Sequence, residues 1–237
     1  MRVEIWGDIA CPWCYIGKAR FAAGLAAFEH RDQVEVVHRS FELDPRAPKG
    51  ETGPVLPMLA AKYGLTLDQA RQAEQRVAAA AASEGLDYLA DGRDHGNTFD
   101  LHRLLHFARE HGRQERLLDL AYRANFAEER SVYDRERQLE LAVQAGLDRE
   151  QAAAVLDDES AYAGAVRADE REAAELGATG VPFYVLDRRL GVSGGQPAEV
   201  FTDALRQAWA ARTPLTVLAG DPAADACGPD GCAVPQP

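Results

Sequence analysis

Two pairs of cysteines have the most direct chemical potential in this sequence. Cys11 and Cys14 bracket Pro12 and Trp13, and Cys227 and Cys232 flank Gly228-Pro229-Asp230-Gly231. The thiolate, not the thiol, is the nucleophile of sulfur exchange. A Cys-X-X-Cys pair at a helix start has its first thiol's pKa drawn from about 8.5 to as low as about 3.5, because unpaired first-turn N–H groups favour negative charge. A spacing of three sets both sulfurs on one helix face. Cys11 can then attack a disulfide and Cys14 can resolve the mixed disulfide that results. Four thiolates could instead hold zinc. Zinc-ribbon pairs, however, sit in Gly-containing knuckles, whereas Cys11 follows a predicted strand and Pro12 opens a predicted helix. That context points to redox chemistry, with no metal and no cofactor.

The Cys227/Cys232 pair leaves alternatives open. Its intervening turn residues can bring the two Cβ atoms together, and a disulfide closing so short a loop gains little chain entropy. The connection from Arg212, about 15 residues at about 3.3–3.6 Å each, reaches roughly 50 Å. The pair therefore reads as a second redox pair, shuttling to or guarding Cys11, or equally as an idle or metal-scavenging thiol pair. Gly180-Val181-Pro182 stands just before a predicted strand, where a proline is tolerated in cis or as a trans strand initiator. His102 and His106 lack the glutamate that a zinc-protease motif carries after its first histidine, and they read as interface or surface residues. Gly194-Gly195, without a G-x-G-x-x-G run, reads as a turn.

The elements that must position these residues follow from periodicity. Residues 2–7 alternate as a strand; Tyr15, Phe21, Leu25 and Phe28 recur at helical spacing; and Val34 to Val37 form a second strand. A parallel pair of strands needs such a crossover helix. Residues 44–57, with four prolines and two glycines, read as a loop. Thr66 with Gln69 and Asp148 with Gln151 have capping-box spacing. The stripe Leu101, Leu104, Leu105, Ala108 ends at Gly112, so residues 58–176 are expected to hold five or six helices. The charge-rich stretch Arg167 to Glu175 reads as a solvated face. Strands return at Val181–Leu186 and Leu190–Ser193, with Arg188-Arg189 at the turn, and a last helix runs from about Pro197 to Arg212. The remainder, rich in Pro, Gly, Ala and Asp, is expected to be poorly ordered.

The 237 residues carry 38 acidic and 26 basic side chains, a formal charge of −12. That balance argues against nucleic-acid and anionic-membrane partners, and no run approaches the roughly 20 apolar residues of a membrane span. No n-region and apolar h-region of about 7–15 residues precedes Cys11. A cytoplasmic, reducing location is the expectation, and paired cysteines there are redox-active or metal-binding rather than structural.

Asp8-Ile9-Ala10-Cys11-Pro12-Trp13-Cys14-Tyr15-Ile16-Gly17-Lys18 resembles the DsbA-like thioredoxin superfamily, in particular its FrnE-like cytoplasmic branch. So, in order, do Phe41 to Pro45, Asn97 to Leu104, Gly180 to Tyr184, and Gly194 to Pro197. The resemblance covers about residues 1–212. It implies an α/β fold: a thioredoxin-like core formed by residues 1–44 and 177–212, a large inserted α-helical domain over 45–176, and a tail, 213–237, with the second cysteine pair. It also implies a cis Val181–Pro182 bond facing the sulfurs, and a groove where extended substrate lies against Val181, Pro12 and Trp13. Catalysis would rest on Cys11, Cys14 and Pro182, acting on protein or thiol/disulfide substrates, with glutathione or a thioredoxin-type reductant as electron partner. Two departures stand out. The buried acid often found six positions before the first cysteine is Ile5 here, leaving Asp8 or Glu4 as substitutes. Pro-Trp also replaces the Pro-His of DsbA, which should make the disulfide less oxidising. The rival functions are a glutathione-dependent kappa-type isomerase or transferase, which presents serine at the Cys11 position, and a redox-controlled chaperone or binding module.

Overall fold

The computed structural model describes residues 1–212 and the backbone of two short strands beyond them. The central strand, β1 (Arg2–Gly7), has Val3 to Trp6 buried. It pairs in parallel with β2 (Glu35–Ser40), Arg2 opposite Glu35 through Gly7 opposite Ser40. Between them α1 (Pro12–Ala26) makes the expected crossover. On its other edge β1 pairs antiparallel with β5 (Phe183–Leu186), which pairs with β6 (Leu190–Ser193), giving the order β2-β1-β5-β6. Asp187 and Arg188 turn the β5–β6 hairpin with φ of 46° and 58°. Side-chain bonds hold both residues: Asp187 accepts the Arg2 N–H, and Arg188 pairs with Glu4 and Glu172.

The alternation of β1 divides the core. Val3 and Ile5 pack with Phe21 of α1, with Phe28 just beyond its end, and with Phe201 and Leu205 of α9 (Ala198–Ala210). Trp6 faces the other way, against Ala173 of α8 (Ala163–Glu175), and donates from Nε1 to the Asp169 carbonyl at 2.8 Å. A central strand covered on both faces has no polar side to spare, so the carboxylate of Glu4 is buried and met by Arg39 and Arg188.

Between β2 and β5 lie seven helices among the described residues, rather than the five or six expected. They are α2 (Val55–Tyr63), α3 (Leu67–Ser83), α4 (Phe99–Glu110), α5 (Gln114–Ala127), α6 (Arg135–Gln144), α7 (Arg149–Asp157) and α8. The proline-rich stretch is not all loop. Thr52–Pro54 is a short strand, β3, paired with β4 (Asp94–Gly96), and Pro57 sits inside the first turn of α2, where its missing N–H breaks no intrahelical bond. Thr66 and Gln69 form a complete capping box, and Asp148 caps Gln151 N–H. The largest apolar cluster lies among α4 to α7 and extends to Ile9, Cys11 and Cys14. The expected solvated face at 167–175 holds only in part, because Asp169 and Ala173 are buried against the sheet.

Beyond Arg212, Cys227–Gly228 (β7) pairs antiparallel with Gly231–Cys232 (β8). The expected loose order of the tail, and the side chains of Cys227 and Cys232, lie outside the described residues.

Candidate active site

Cys11 is the N-cap of α1, in extended backbone geometry, with Pro12 in the first helical turn. Proline fits there because its fixed φ is helical and a first-turn N–H has no partner to lose. The Cys14 N–H, which donates to the Cys11 carbonyl at 3.0 Å, also donates to the Cys11 Sγ at 3.3 Å. The Cys11 thiol also meets the Val181 carbonyl at 3.5 Å. Neither Cys11 nor Cys14 is in a disulfide. The Val181–Pro182 bond is cis, and the strand ladder begins only at Phe183, leaving Val181 outside it.

The two thiols open in different directions. Cys11, with Pro12, Trp13 and Val181, lines a cleft of about 370 Å³ whose far wall is Met58 and Leu59 of α2 and Val77 of α3. Trp13 is 43% exposed at the cleft. Cys14, buried like Cys11, instead lines a small pocket shared with Gly7, His38, His102, Tyr122 and Tyr184. Burial, a hydrogen bond with the Cys11 thiol and the charge of Cys11 push the Cys14 pKa well above the usual thiol range; the Asp8 backbone N–H pulls it partly back.

Of the two acids considered for the place of Ile5, Glu4 belongs to the sheet's other face and is held by Arg39 and Arg188. Asp8 stands by the cysteines. Its Oδ2 accepts Leu43 N–H at 2.7 Å, and its Oδ1 accepts Ala10 N–H at 3.3 Å and pairs with His102 Nε2 at 3.2 Å. The reading of His102 and His106 as surface residues is overturned, because both are buried. His106 Nε2 lies 3.1 Å from Asp169 and 3.2 Å from Ser40 Oγ. Charged and polar groups enter a core when partners for them are built in. The available signal was α4 itself, whose residues from Phe99 to Ala108 are buried except Asp100, so little face remained for the histidines to expose. Tyr122 and Tyr184, also missed, have hydroxyl pKa values raised well above normal by burial.

Gly194-Gly195 is a turn, as expected, and it is also structural to the site. A Cβ on Gly195 would stand 3.0 Å from the Trp13 carbonyl and 3.4 Å from Gly17 Cα. The turn therefore packs against the back of the motif helix. Among the described residues no group of three or more metal-ligating side chains forms, and no helix is long and apolar enough to cross a membrane.

The DSBA-like thioredoxin domain profile matches residues 2–206. A crystal structure described as a probable DsbA oxidoreductase from Streptomyces coelicolor is 67% identical, with full coverage of both chains and a TM-score of 0.93. The cytosolic disulfide reductase DsbM from Pseudomonas aeruginosa, solved with GSH, is 18% identical over 89% of this chain and 100% of its own, at a TM-score of 0.62. A 2-hydroxychromene-2-carboxylate isomerase is 13% identical over 87% of this chain and 95% of its own, at 0.64. These last two share the fold. No curated protein sequence matches significantly. With the profile spanning nearly all the described residues, the chain belongs to the DsbA-like family of thioredoxin-fold oxidoreductases and isomerases.

Proposed function

We propose that this protein is a thiol–disulfide oxidoreductase or isomerase acting on protein disulfides through Cys11 and Cys14. The observation that carries the reading is the separate placement of the two thiols: Cys11 on a large cleft beside the unladdered Val181 carbonyl, Cys14 on a far smaller pocket. Cys11 attacks a substrate sulfur, forming the mixed disulfide and releasing one substrate thiolate. Cys14 then attacks Cys11, closing the enzyme disulfide and releasing the second thiolate, so two electrons pass to the substrate. The reverse sequence oxidises a dithiol. An extended substrate lies along Val181, outside the sheet ladder, with Pro12, Trp13 and Pro182 framing it.

In this reading residues 1–44 and 177–212 form the redox core, and residues 45–176 form the inserted helical domain that supplies the cleft's far wall. The work is done in the cytoplasm, with glutathione or a thioredoxin-type reductant returning electrons. The high identity to a protein described as a probable DsbA oxidoreductase and the GSH in the DsbM structure support these assignments. The intact second cysteine favours exchange over a kappa-type isomerase. Insulin-reduction turnover is the test: Cys11→Ser should abolish it, and full turnover by that variant would remove Cys11 from the mechanism. The tail pair is read as a shuttle, so Cys227→Ser should change the rate at which glutathione reduces the Cys11–Cys14 disulfide; an unchanged rate would leave that pair without a catalytic role.

A further inference from the structure

The cavity behind Cys14 holds more polar chemistry than packing requires. It measures about 20 Å³, room for about one water molecule. Three of its lining residues carry buried polar atoms unpartnered by any protein atom: His102 Nδ1, His38 Nε2 and the Tyr184 hydroxyl. Buried polar atoms are rarely left so, and three residues that carry them line one small space beside a thiol.

The two histidines differ in what stands behind them. Asp8 accepts backbone N–H groups from Leu43 and Ala10, so its carboxylate is an acceptor toward His102 as well. The 3.2 Å contact therefore places the His102 proton on Nε2 and leaves the Nδ1 lone pair free. His38 has no carboxylate partner, and its backbone is clasped from both sides by Gln114. Burial, and then the nearby Lys18 charge, lowers the His38 pKa to about 3, which makes it a poor proton acceptor. The other ionisable groups on the cavity are committed. Lys18 pairs with Glu115 and Asp119, Arg39 pairs with Glu4 and Asp169, and Tyr122 and Tyr184 keep their protons by burial.

We propose that His102, held in the Nε2–H tautomer by Asp8, accepts the Cys14 proton at Nδ1 across one water lodged in this cavity. The inference rests on Cys11 as nucleophile and Cys14 as resolver. In the resolving step the Cys14 S–H bond breaks and the water relays a proton to Nδ1. The sulfur's electron pair forms the bond to Cys11, and the Cys11–substrate bond breaks with its pair leaving on the substrate thiolate. The imidazolium that forms lies against Asp8, which stabilises it, and its proton returns to solvent through the same water. His102 and Asp8 are thus positioning residues for the second step and not for the first.

The test separates the two steps with dithiobis-nitrobenzoate, whose coloured thiolate is released once when Cys11 attacks and again when Cys14 resolves. His102→Gln keeps an N–H donor toward Asp8 and removes the base. It should leave the first release at the parental rate and slow the second by about 100-fold, the low end of what a positioned general base supplies. His38→Gln should leave both releases unchanged. Equal slowing of both releases by His102→Gln, no slowing, or slowing of the second release by His38→Gln alone would each overturn the assignment. Nitrogen NMR of the reduced parent protein gives a readout independent of folding in the variant. It should find His102 protonated at Nε2 and bare at Nδ1, and the opposite tautomer would refute the proposal. Absence of any release from the parent protein, or a first release retained in Cys11→Ser, would instead sink the underlying reading of Cys11.

Discussion

Gly17 and Gly24 lie two turns apart on α1 and offer a matched pair of perturbations, one at the site and one away from it. An Ala Cβ at Gly17 would stand 2.7 Å from the Tyr184 hydroxyl, 3.1 Å from Gly195 Cα and 3.2 Å from Pro182 Cγ. At Gly24 it would stand 2.6 Å from the Ala198 carbonyl oxygen and 2.8 Å from Phe201 Cβ. Alanine gains about 1 kcal/mol over glycine inside a helix. Overpacking costs about 1–3 kcal/mol, and the upper end applies to both positions. The Tyr184 ring is wedged between Phe21 and Phe201, at centroid distances of 5.5 and 4.6 Å, and the Gly24 neighbour is backbone. Each variant should therefore lose about 2 kcal/mol, lowering Tm by about 4–8 °C for a chain of this size. Activity should separate them. Restoring ordinary 3.4 Å contacts at Gly17 displaces the Tyr184 hydroxyl by about 0.7 Å, and Pro182 and the Gly194-Gly195 turn from the motif helix by about 0.2–0.3 Å. A misplacement of about 1 Å can cost about 100-fold, so Gly17→Ala should slow disulfide exchange about 4-fold. Gly24→Ala, touching only α9, should stay within about twofold. Thermal unfolding by circular dichroism and insulin reduction well below both midpoints would measure this. Equal activities, or a stabilised Gly17→Ala, would refute the packing argument.

Two further outcomes concern the buried charges. Burial raises the carboxyl pKa values of Glu4 and Asp169, but this is outweighed by hydrogen bonds from Arg39 and Arg188 to Glu4 and from His106 and the Ser40 N–H to Asp169, so both end below their usual values of 4.5 and 3.8. A carboxyl with a lowered folded-state pKa contributes stability above its unfolded value and loses it as pH falls through the folded one. Urea unfolding should show a plateau above about pH 5 and a decline below about pH 4. Glu4→Gln should lower the plateau by about 3 kcal/mol and flatten the decline; stability independent of acid would contradict the network's role. Arg103 is fully buried and donates to the Val155, Leu156, Asp158 and Ala161 carbonyls near the end of α7. Arg103→Met should cost about 3–5 kcal/mol in the same assay, and a loss under about 1 kcal/mol would show those carbonyls to be satisfied without it.

The local parts of this molecule were readable from sequence because local rules dictate them. The alternation in Arg2–Gly7, Pro12 after a capping Cys11, and the Thr66–Gln69 capping box each need only near neighbours in the chain, and each stands as expected. The motif's relation to Val181 followed only from the family resemblance, since no local rule places β5 antiparallel beside β1. What remained hidden depends on partners far apart in sequence. Asp8 meets His102 across 94 positions and Arg39 meets Asp169 across 130, and no periodicity encodes such pairings. Polar residues on α4 and α8 were therefore read as solvated when distant partners bury them. The proline-rich stretch misled for a different reason: proline forbids helix interiors but fits first turns, so Pro57 marked a helix start.

The central claim is that Cys11 receives the substrate sulfur and Cys14 discharges it, and trapping tests it most directly. Cys14→Ala, mixed with a disulfide-bonded protein substrate, should accumulate a mixed disulfide, because attack proceeds while resolution cannot. Mass spectrometry of peptides from that adduct should place the substrate cysteine on Cys11. An adduct that forms instead only in Cys11→Ser, carried on Cys14, would reverse the roles and contradict the account.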